Sequence, residues 1–361
     1  MNFCHMVSMS GGKDSTATLL LALHRVPSES LIPIFCDTGN EHEITYRYLE
    51  EVERHLGIQI HRLKPDFSRE IAVKRSFIAQ DLRTRREYQR VPLLDDQGQI
   101  VPARDNQGRI QYRTVRRKGV EVREIIPRMV KRHGRRVRWS NKAKRRALAA
   151  LHPTGNPFLD LCLWKGRFPS RKAQFCTEEL KRNMAVAFQL DLIDQGYSVI
   201  SWQGIRRDES ENRRNAKQIE RIGPRLWAFR PLVDWTAQQT VDFVRDQGCP
   251  LNPLYTMGCN RVGCMPCINV SKSELASVSY RFAEEIDRIE EWESLVSQCS
   301  KRGYSTMMAD THDAKDRREI FADLNIRARV RWATGDNGSL SLFAEGELSV
   351  PACASAYGLC E

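Results

Sequence analysis

No stretch of the 361-residue sequence is apolar for long enough to cross a bilayer, and the first apolar run begins almost at the amino terminus, leaving no room for a signal peptide. The expected setting is cytoplasmic, with no membrane partner. A disulfide framework is also missing from the expectation: eleven cysteines in such a chain point to metal or thiol chemistry instead. Acidic residues are scarce in one place. Residues 83–146 hold 21 Lys+Arg against 6 Asp+Glu, whereas the remainder is close to neutral. Such a block fits contact with a polyanion, DNA or RNA, or else a solvated charged insert. The length allows one large domain with appendages or two modest ones. It does not fix an oligomeric state.

A Walker loop is absent too, because that motif needs four residues between its first Gly and Gly-Lys-Ser/Thr. What stands near the amino terminus is Ser10-Gly11-Gly12-Lys13-Asp14-Ser15-Thr16, between an apolar run (Phe3–Met9) and an apolar helical run (residues 17–23). A strand feeding a Gly-rich turn that opens a helix makes an anion site, since small residues let backbone N–H groups face phosphates and the helix dipole assists. The bland alternative is a glycine turn before a core helix. The motif resembles the PP-loop of the ATP pyrophosphatases, which cleave ATP between its α and β phosphates. That resemblance implies that Lys13 neutralises phosphate charge, that Ser10, Gly11, Gly12 and Ser15 cradle the nucleotide, and that Asp14 holds Mg²⁺ or shapes the turn.

Further along, Leu31–Cys36 reads as a buried strand ending in Asp37-Thr38-Gly39-Asn40-Glu41. A helix with Ile44, Tyr48, Val52 and Leu56 on one face stops at Gly57, and residues 58–63 alternate as a third strand. This rhythm predicts an α/β fold, a parallel twisted sheet with helices on both faces and ligands at the carboxyl ends of the strands. It breaks near Arg83. Two turn-like units, at Asp95-Asp96-Gln97-Gly98 and Asp105-Asn106-Gln107-Gly108, predict a small β-meander with little core of its own, followed by a basic stretch over residues 131–146. The pair is too short to mark a repeat architecture. A helix with Leu180, Met184, Phe188 and Leu192, a strand near Val199 and a helix capped by Thr236 and Gln239 restore the α/β pattern. Residues 274–299 read as helical. The expected division is 1–82 and 148–270 as the two parts of the α/β domain, 83–147 as the basic insert, and 271–361 as a helical region with a tail.

The order of motifs resembles the phosphoadenosine phosphosulfate (PAPS) reductase-like branch of the PP-loop, or adenine nucleotide alpha hydrolase-like, superfamily. It is carried by residues 10–15, Asp37 to Glu41, Gly204-Ile205-Arg206-Arg207-Asp208-Glu209-Ser210, residues 231–236, Asn252-Pro253-Leu254-Tyr255 and Gly263-Cys264-Met265-Pro266-Cys267. It implies a Rossmann-like fold with an adenine nucleotide across the strand ends. Arg206 and Arg207 then meet phosphate or sulfate, Glu209 orients an arginine, and Asp37, Gly39 and Glu41 support Mg²⁺ or the ribose. A guanidinium fork suits such oxyanions because it reaches two oxygens at once. Taken singly, each of these charges also reads as a surface ion pair.

Cys259, Cys264 and Cys267 lie within nine residues, with Gly263 and Pro266 to bend the backbone. Cys176, which precedes a helix where the dipole favours thiolate, is the candidate fourth ligand. Four such thiolates suit a [4Fe–4S] cluster or structural Zn²⁺, and the absence of any metal stays open. Resemblance to cluster-bearing sulfonucleotide reductases and to DNA phosphorothioation sulfurtransferases favours iron. Cys249 is a nearby spare, and Cys4, Cys36 and Cys162 read as small core residues.

Two departures from the reductase pattern bear on chemistry. Reductases usually lose the Lys-Asp pair that this chain keeps as Lys13 and Asp14, which favours ATP. They also end in a Glu-Cys-Gly-containing tail, whereas this sequence ends Tyr357-Gly358-Leu359-Cys360-Glu361. The leading expectation is an AMP- and pyrophosphate-forming ATP pyrophosphatase that adenylates its substrate for sulfur transfer, with nucleic acid as acceptor and a sulfur-donor protein as partner. Two alternatives remain. One is a PAPS or adenosine phosphosulfate reductase that uses Cys360, with Cys353 as a second thiol and a thioredoxin-like reductant. The other is a nucleotide-sensing regulator that binds nucleic acid.

Overall fold

A computed structural model describes residues 2–82, 85–117, 120–137, 139–308 and 324–335. Cys353 and Cys360 lie outside these. The chain separates into two units, Met1–Ser76 with Arg145–Glu361, and Phe77–Lys144.

The larger unit is built on a six-stranded sheet. Strands β1 (Phe3–Met9), β2 (Leu31–Cys36), β3 (His61–Leu63), β8 (Ser198–Trp202) and β10 (Leu226–Phe229) run parallel, and β9 (Ile219–Gly223) pairs antiparallel with β10 at the edge. Their order across the sheet is β3-β2-β1-β8-β10-β9. From β1 it grows one way through β2 and β3, and the other way through β8. The boundary between β1 and β8 is therefore the topological switch point, where α/β sheets open a crevice for ligands.

Helices cover both faces, as the apolar runs require. Val7, Phe35 and Trp202 meet residues of α1 (Lys13–Arg25), α2 (Glu43–Leu56) and α8 (Ala237–Asp246) on one side. Cys4, Met6, Ile34 and Val199 meet Leu192 of α7 (Asn183–Asp194) on the other. Between β3 and β8 the chain also forms α3 (Ser68–Gln80), α4 (Asn141–Ala150) and α5 (Pro157–Lys165). The turn after α2 is the glycine stop read in the sequence, with Gly57 left-handed at φ 64°. The third strand is shorter than its alternation predicts. The Ile60 N–H donates to Glu53 Oε1 at 2.6 Å and its carbonyl accepts from Arg62, so side chains take the groups a ladder would use.

Helix α7 continues without a break from α6 (Phe175–Thr177) through a π turn at Glu178–Arg182. Beyond the cysteine segment, α9 (Lys272–Arg281) and α10 (Ala283–Cys299) form the helical region, and α11 (Ile326–Thr334) packs on both. Among the described residues no helix is long and apolar enough to cross a membrane.

The smaller unit differs from the expected meander in its pairing. Strand β4 (Arg85–Pro92) pairs with β7 (Met129–Val137), and β5 (Tyr112–Arg117) with β6 (Val120–Ile125), so the ladders are nested. The two turn-like units are small closed loops between them. Asp95 Oδ1 accepts from Gln97 and Gln99 N–H, and Asp105 Oδ1 from Gln107 and Arg109 N–H. Each loop is a side outgrowth of one long ladder rather than a link between successive neighbours. Leu94, Ile100, Tyr112, Val122 and Met129 are exposed, in keeping with a unit that has little core.

Candidate active site

The glycine loop leaves β1 at the switch point and is clamped from three sides. Gly11 has φ 75°, and a Cβ there would lie 2.7 Å from Thr45 Cγ2, so the position needs glycine twice over. Asn252 Nδ2 donates to the Gly11 carbonyl at 3.1 Å, and the Lys13 N–H donates to the Tyr255 hydroxyl at 3.0 Å. Ser15 Oγ donates to the Gly12 carbonyl at 2.8 Å and accepts from the Ser10 N–H at 3.2 Å. Ser10 and Ser15 thus hold the loop's own shape.

Asp14 joins this loop to the exit of β8. Its Oδ2 is 2.9 Å from Lys13 Nζ, and its Oδ1 accepts from Arg206 Nε at 2.6 Å. Lys13 and Arg206 are both buried. Gly204 lets the two segments touch, since a Cβ there would sit 2.8 Å from the Asp14 carbonyl oxygen. Arg213 adds another cation. Burial, then the charge of Arg261, lowers its pKa; Asp14 opposes that shift and Arg206 reinforces it. Four cations, Lys13, Arg206, Arg213 and Arg261, thus stand against the carboxylates of Asp14, Asp208 and Glu209, an excess of positive charge that suits a polyanionic ligand.

The other expected arginine turns elsewhere. Arg207 pairs with Asp234 and donates to the Ala216 carbonyl, while Glu209 pairs with Arg213. Asp208, not Glu209, is the second carboxylate on Arg206. Arg206 is extended whereas Arg207 opens a short 3-10 turn over Arg207–Glu209, so the two side chains leave the backbone in different directions.

The loop after β2 serves a different neighbour. Asp37 Oδ1 accepts from the Gly39 N–H at 2.9 Å and from Tyr46 OH at 2.7 Å. Burial and the two nearby carboxylates push the Tyr46 phenol up, so it stays a donor. Glu41 is buried and accepts from Thr38 Oγ1 at 2.7 Å; its other oxygen lies 3.7 Å from Cys264 Sγ and 3.9 Å from Lys181 Nζ. A bridge between Glu41 and Cys264, and a Met265 N–H bond to the Asn40 carbonyl at 2.7 Å, fasten this loop to the cysteine segment. Asp37 Oδ1 and both Glu41 oxygens thus already have protein partners.

Burial pushes the Cys264 thiol up to about 12, against the pull of the Lys181 charge. Cys267 is close enough to influence Cys264 and Cys176. Cys259 faces Glu274 and Arg281, and burial pushes it up to about 11. With Cys264 and Cys267 it lines a cavity of about 30 Å³. Among the described residues no three His, Cys, Asp or Glu side chains converge at ligand distance. The donor chemistry fits a thiolate-bound metal, and three of the four thiols are coupled, but Cys259 and the small cavity require side-chain movement before four sulfurs could share an ion or cluster.

Arg213, Arg261, Asn252, Tyr255 and Lys181 carry no site role in the sequence reading. Asn252 and Tyr255 are visible there only as part of a motif. Lys181 lies on a helix whose π turn no periodicity announces; such turns recur at functional sites.

The chain is 39% identical to the 37.8 kDa protein in the gpa 5′ region of Escherichia phage 186, over 99% of this chain and 96% of that one. It is 37% identical to the adenosine 5′-phosphosulfate reductase of Rhizobium tropici over 70 residues, which is 19% of this chain and 39% of the reductase. A PAPS reductase structure from Candida auris aligns over 74% of this chain and 83% of its own, at 15% identity and a TM-score of 0.38. Residues 4–270 match the phosphoadenosine phosphosulfate reductase domain, and the chain belongs to that family of nucleotide-binding enzymes.

Proposed function

We propose that the protein cleaves ATP to AMP and pyrophosphate in order to adenylate an oxygen of a nucleic-acid substrate, which a sulfur nucleophile then attacks. The observation that carries this reading is the intact Lys13-Asp14 pair, with Lys13 on one carboxylate oxygen and Arg206 on the other. In the first step the acceptor oxygen bonds to the α phosphorus, the bond from that phosphorus to the bridging oxygen breaks, and pyrophosphate leaves. Lys13, Arg206 and Arg213 offset the charge that develops on the leaving group, assisted by Mg²⁺ arriving with the nucleotide. In the second step a nucleophilic sulfur carried by a donor protein bonds to the atom that bears the adenylated oxygen, the bond between that atom and the oxygen breaks, and AMP departs with the oxygen. Cleavage of the donor–sulfur bond by water or a thiol then leaves the sulfur on the substrate.

Cys176, Cys259, Cys264 and Cys267 would hold the metal group, a [4Fe–4S] cluster or Zn²⁺. A cluster would supply electron or sulfur relay, and zinc would brace the segment. The basic residues of 83–146 would grip the phosphate backbone.

The test is ATP turnover with and without DNA or RNA, after anaerobic purification. AMP and pyrophosphate, stimulated by nucleic acid and lost in Lys13→Ala and Asp14→Ala, are the expected products. A second reading draws on the likeness to adenosine 5′-phosphosulfate reductases. No ATP cleavage, together with sulfite release from a sulfonucleotide and reduced thioredoxin, would establish that reading instead.

A further inference from the structure

Two cavities on the larger unit, of about 530 and 490 Å³, share Lys172 and lie beside the thiols rather than among them. Residues flanking Cys176, namely Phe175 and Thr177, line one; Ile268, next to Cys267, lines the other. Each is large enough for about one nucleotide. The first is bordered by Arg171, Lys172, Lys272 and Arg329 around Trp332, the second by Arg167, Lys172 and Arg182. Among the described residues Glu178 is the only acidic one bordering either, and it is paired with Arg182.

Trp332 is 42% exposed, with Lys272 Nζ 5.0 Å and Arg329 Cζ 5.8 Å from its ring centroid. Arg171 donates to the Val270 carbonyl at 3.2 Å and Arg329 to the Met308 carbonyl at 3.1 Å, so both guanidinium groups are fixed against backbone. Among the described residues no carboxylate pairs with Arg171, Lys172 or Lys272. Lys272 and Arg329 lie over the ring as cation–π partners, and a base that takes up the exposed part of Trp332 would keep its phosphates within reach of both cations. Two nucleotide-sized hollows joined at a lysine favour a strand over a single nucleotide.

We infer that this groove seats a single-stranded segment of nucleic acid, with one base stacked on Trp332 and the adjoining phosphates on Lys172, Lys272, Arg171 and Arg329. Stacking requires a base free of its pair, which is why the occupant is single-stranded. The inference rests on nucleic acid being the partner proposed above, and it adds where the strand lies as it passes the thiols.

The test is fluorescence anisotropy of labelled DNA and RNA strands of about 15 nucleotides, with the full chain and matched variants. Trp332→Ala should weaken binding about tenfold and Trp332→Tyr should restore most of it, as expected for a stacking platform. The double variant Lys172→Glu with Lys272→Glu should lower the slope of log affinity against log salt by about 1.4, from roughly 0.7 for each phosphate neutralised. Formation of AMP and pyrophosphate without nucleic acid, and the thermal midpoint, should stay at wild-type levels in all three. Wild-type affinity in both groove variants would overturn the groove while leaving a nucleic-acid partner in place. A mononucleotide that competes as tightly as the strand would overturn the strand assignment. No binding by the wild type at low salt would remove groove and partner together, while ATP cleavage in the same preparations would test adenylation separately.

Discussion

Asp14 holds two cations that would otherwise repel each other across the glycine loop. Lys13 comes from the residue before it, and Arg206 from the loop that leaves β8, almost two hundred residues away. The contact is possible because Gly204 brings backbone against backbone. Gly204→Ala would place a methyl group 2.8 Å from the Asp14 carbonyl oxygen, and neither segment can yield cheaply. The expected cost is about 1–3 kcal/mol of stability, as for other overpacked sites. Nucleotide affinity should fall as well, because Arg206 is displaced from Asp14. Thermal unfolding and calorimetric titration with a non-hydrolysable ATP analogue would measure the two losses, and an unchanged affinity would remove Arg206 from the nucleotide site.

At the scale of elements, the α8 cap and the α10 clasp show how differently local and distant contacts are encoded. Thr236 Oγ1 accepts from the Gln239 N–H at 3.2 Å and Gln239 Oε1 from the Thr236 N–H at 2.8 Å, the reciprocal pair that the four-residue spacing announces. Glu293 of α10 is fully buried and accepts from Met307 N–H at 2.8 Å and Ile326 N–H at 2.9 Å, tying α11 down. Burial raises its pKa from 4.5 to about 7. Between those values the folded protein binds a proton that the unfolded chain lacks, so this group's contribution to stability falls as pH rises through that window. Relative to Glu293→Gln, the wild type should lose up to about 3 kcal/mol between pH ~4.5 and ~7.5. Urea unfolding at both pH values would check the difference, and parallel slopes would refute the titration.

For the whole molecule, charge and fold are divided between two units. Residues 77–144 form their own contacts, and the net charge of +12 originates in the overlapping block 83–146, whose 21 Lys+Arg exceed its 6 Asp+Glu by more than that whole net charge. If the insert grips a phosphate backbone, exchanging Arg90, Arg104, Arg113 and Arg128 for Gln should lower the salt slope of duplex DNA binding by about 3–4, near 0.9 for each phosphate no longer neutralised. ATP cleavage in the absence of nucleic acid should persist. Filter binding over a salt series reads the first effect, and an unchanged slope would make the insert's charge a solubility feature.

Local periodicity determined much of the larger unit. The extent of β2, the stop at Gly57, the glycine loop opening α1 and the Thr236 cap all follow from residues within a few positions of one another. Strand β3 was cut short because Glu53, reaching across from α2, and Arg62 take the Ile60 backbone groups with their side chains, which alternation does not announce. The nested ladders of the insert, the edge strand β9 and the π turn at Lys181 likewise depend on pairing partners and helix strain that alternation does not encode. In the candidate site, the sequence by itself determined that Lys13, Asp14 and Arg206 belong to strand ends. Only the tertiary structure decided that β1 lies beside β8, and so that Arg206 meets Asp14 while Arg207 does not. The physical reason is that strand order is set by burial of the whole sheet between its helices. No segment carries that information alone.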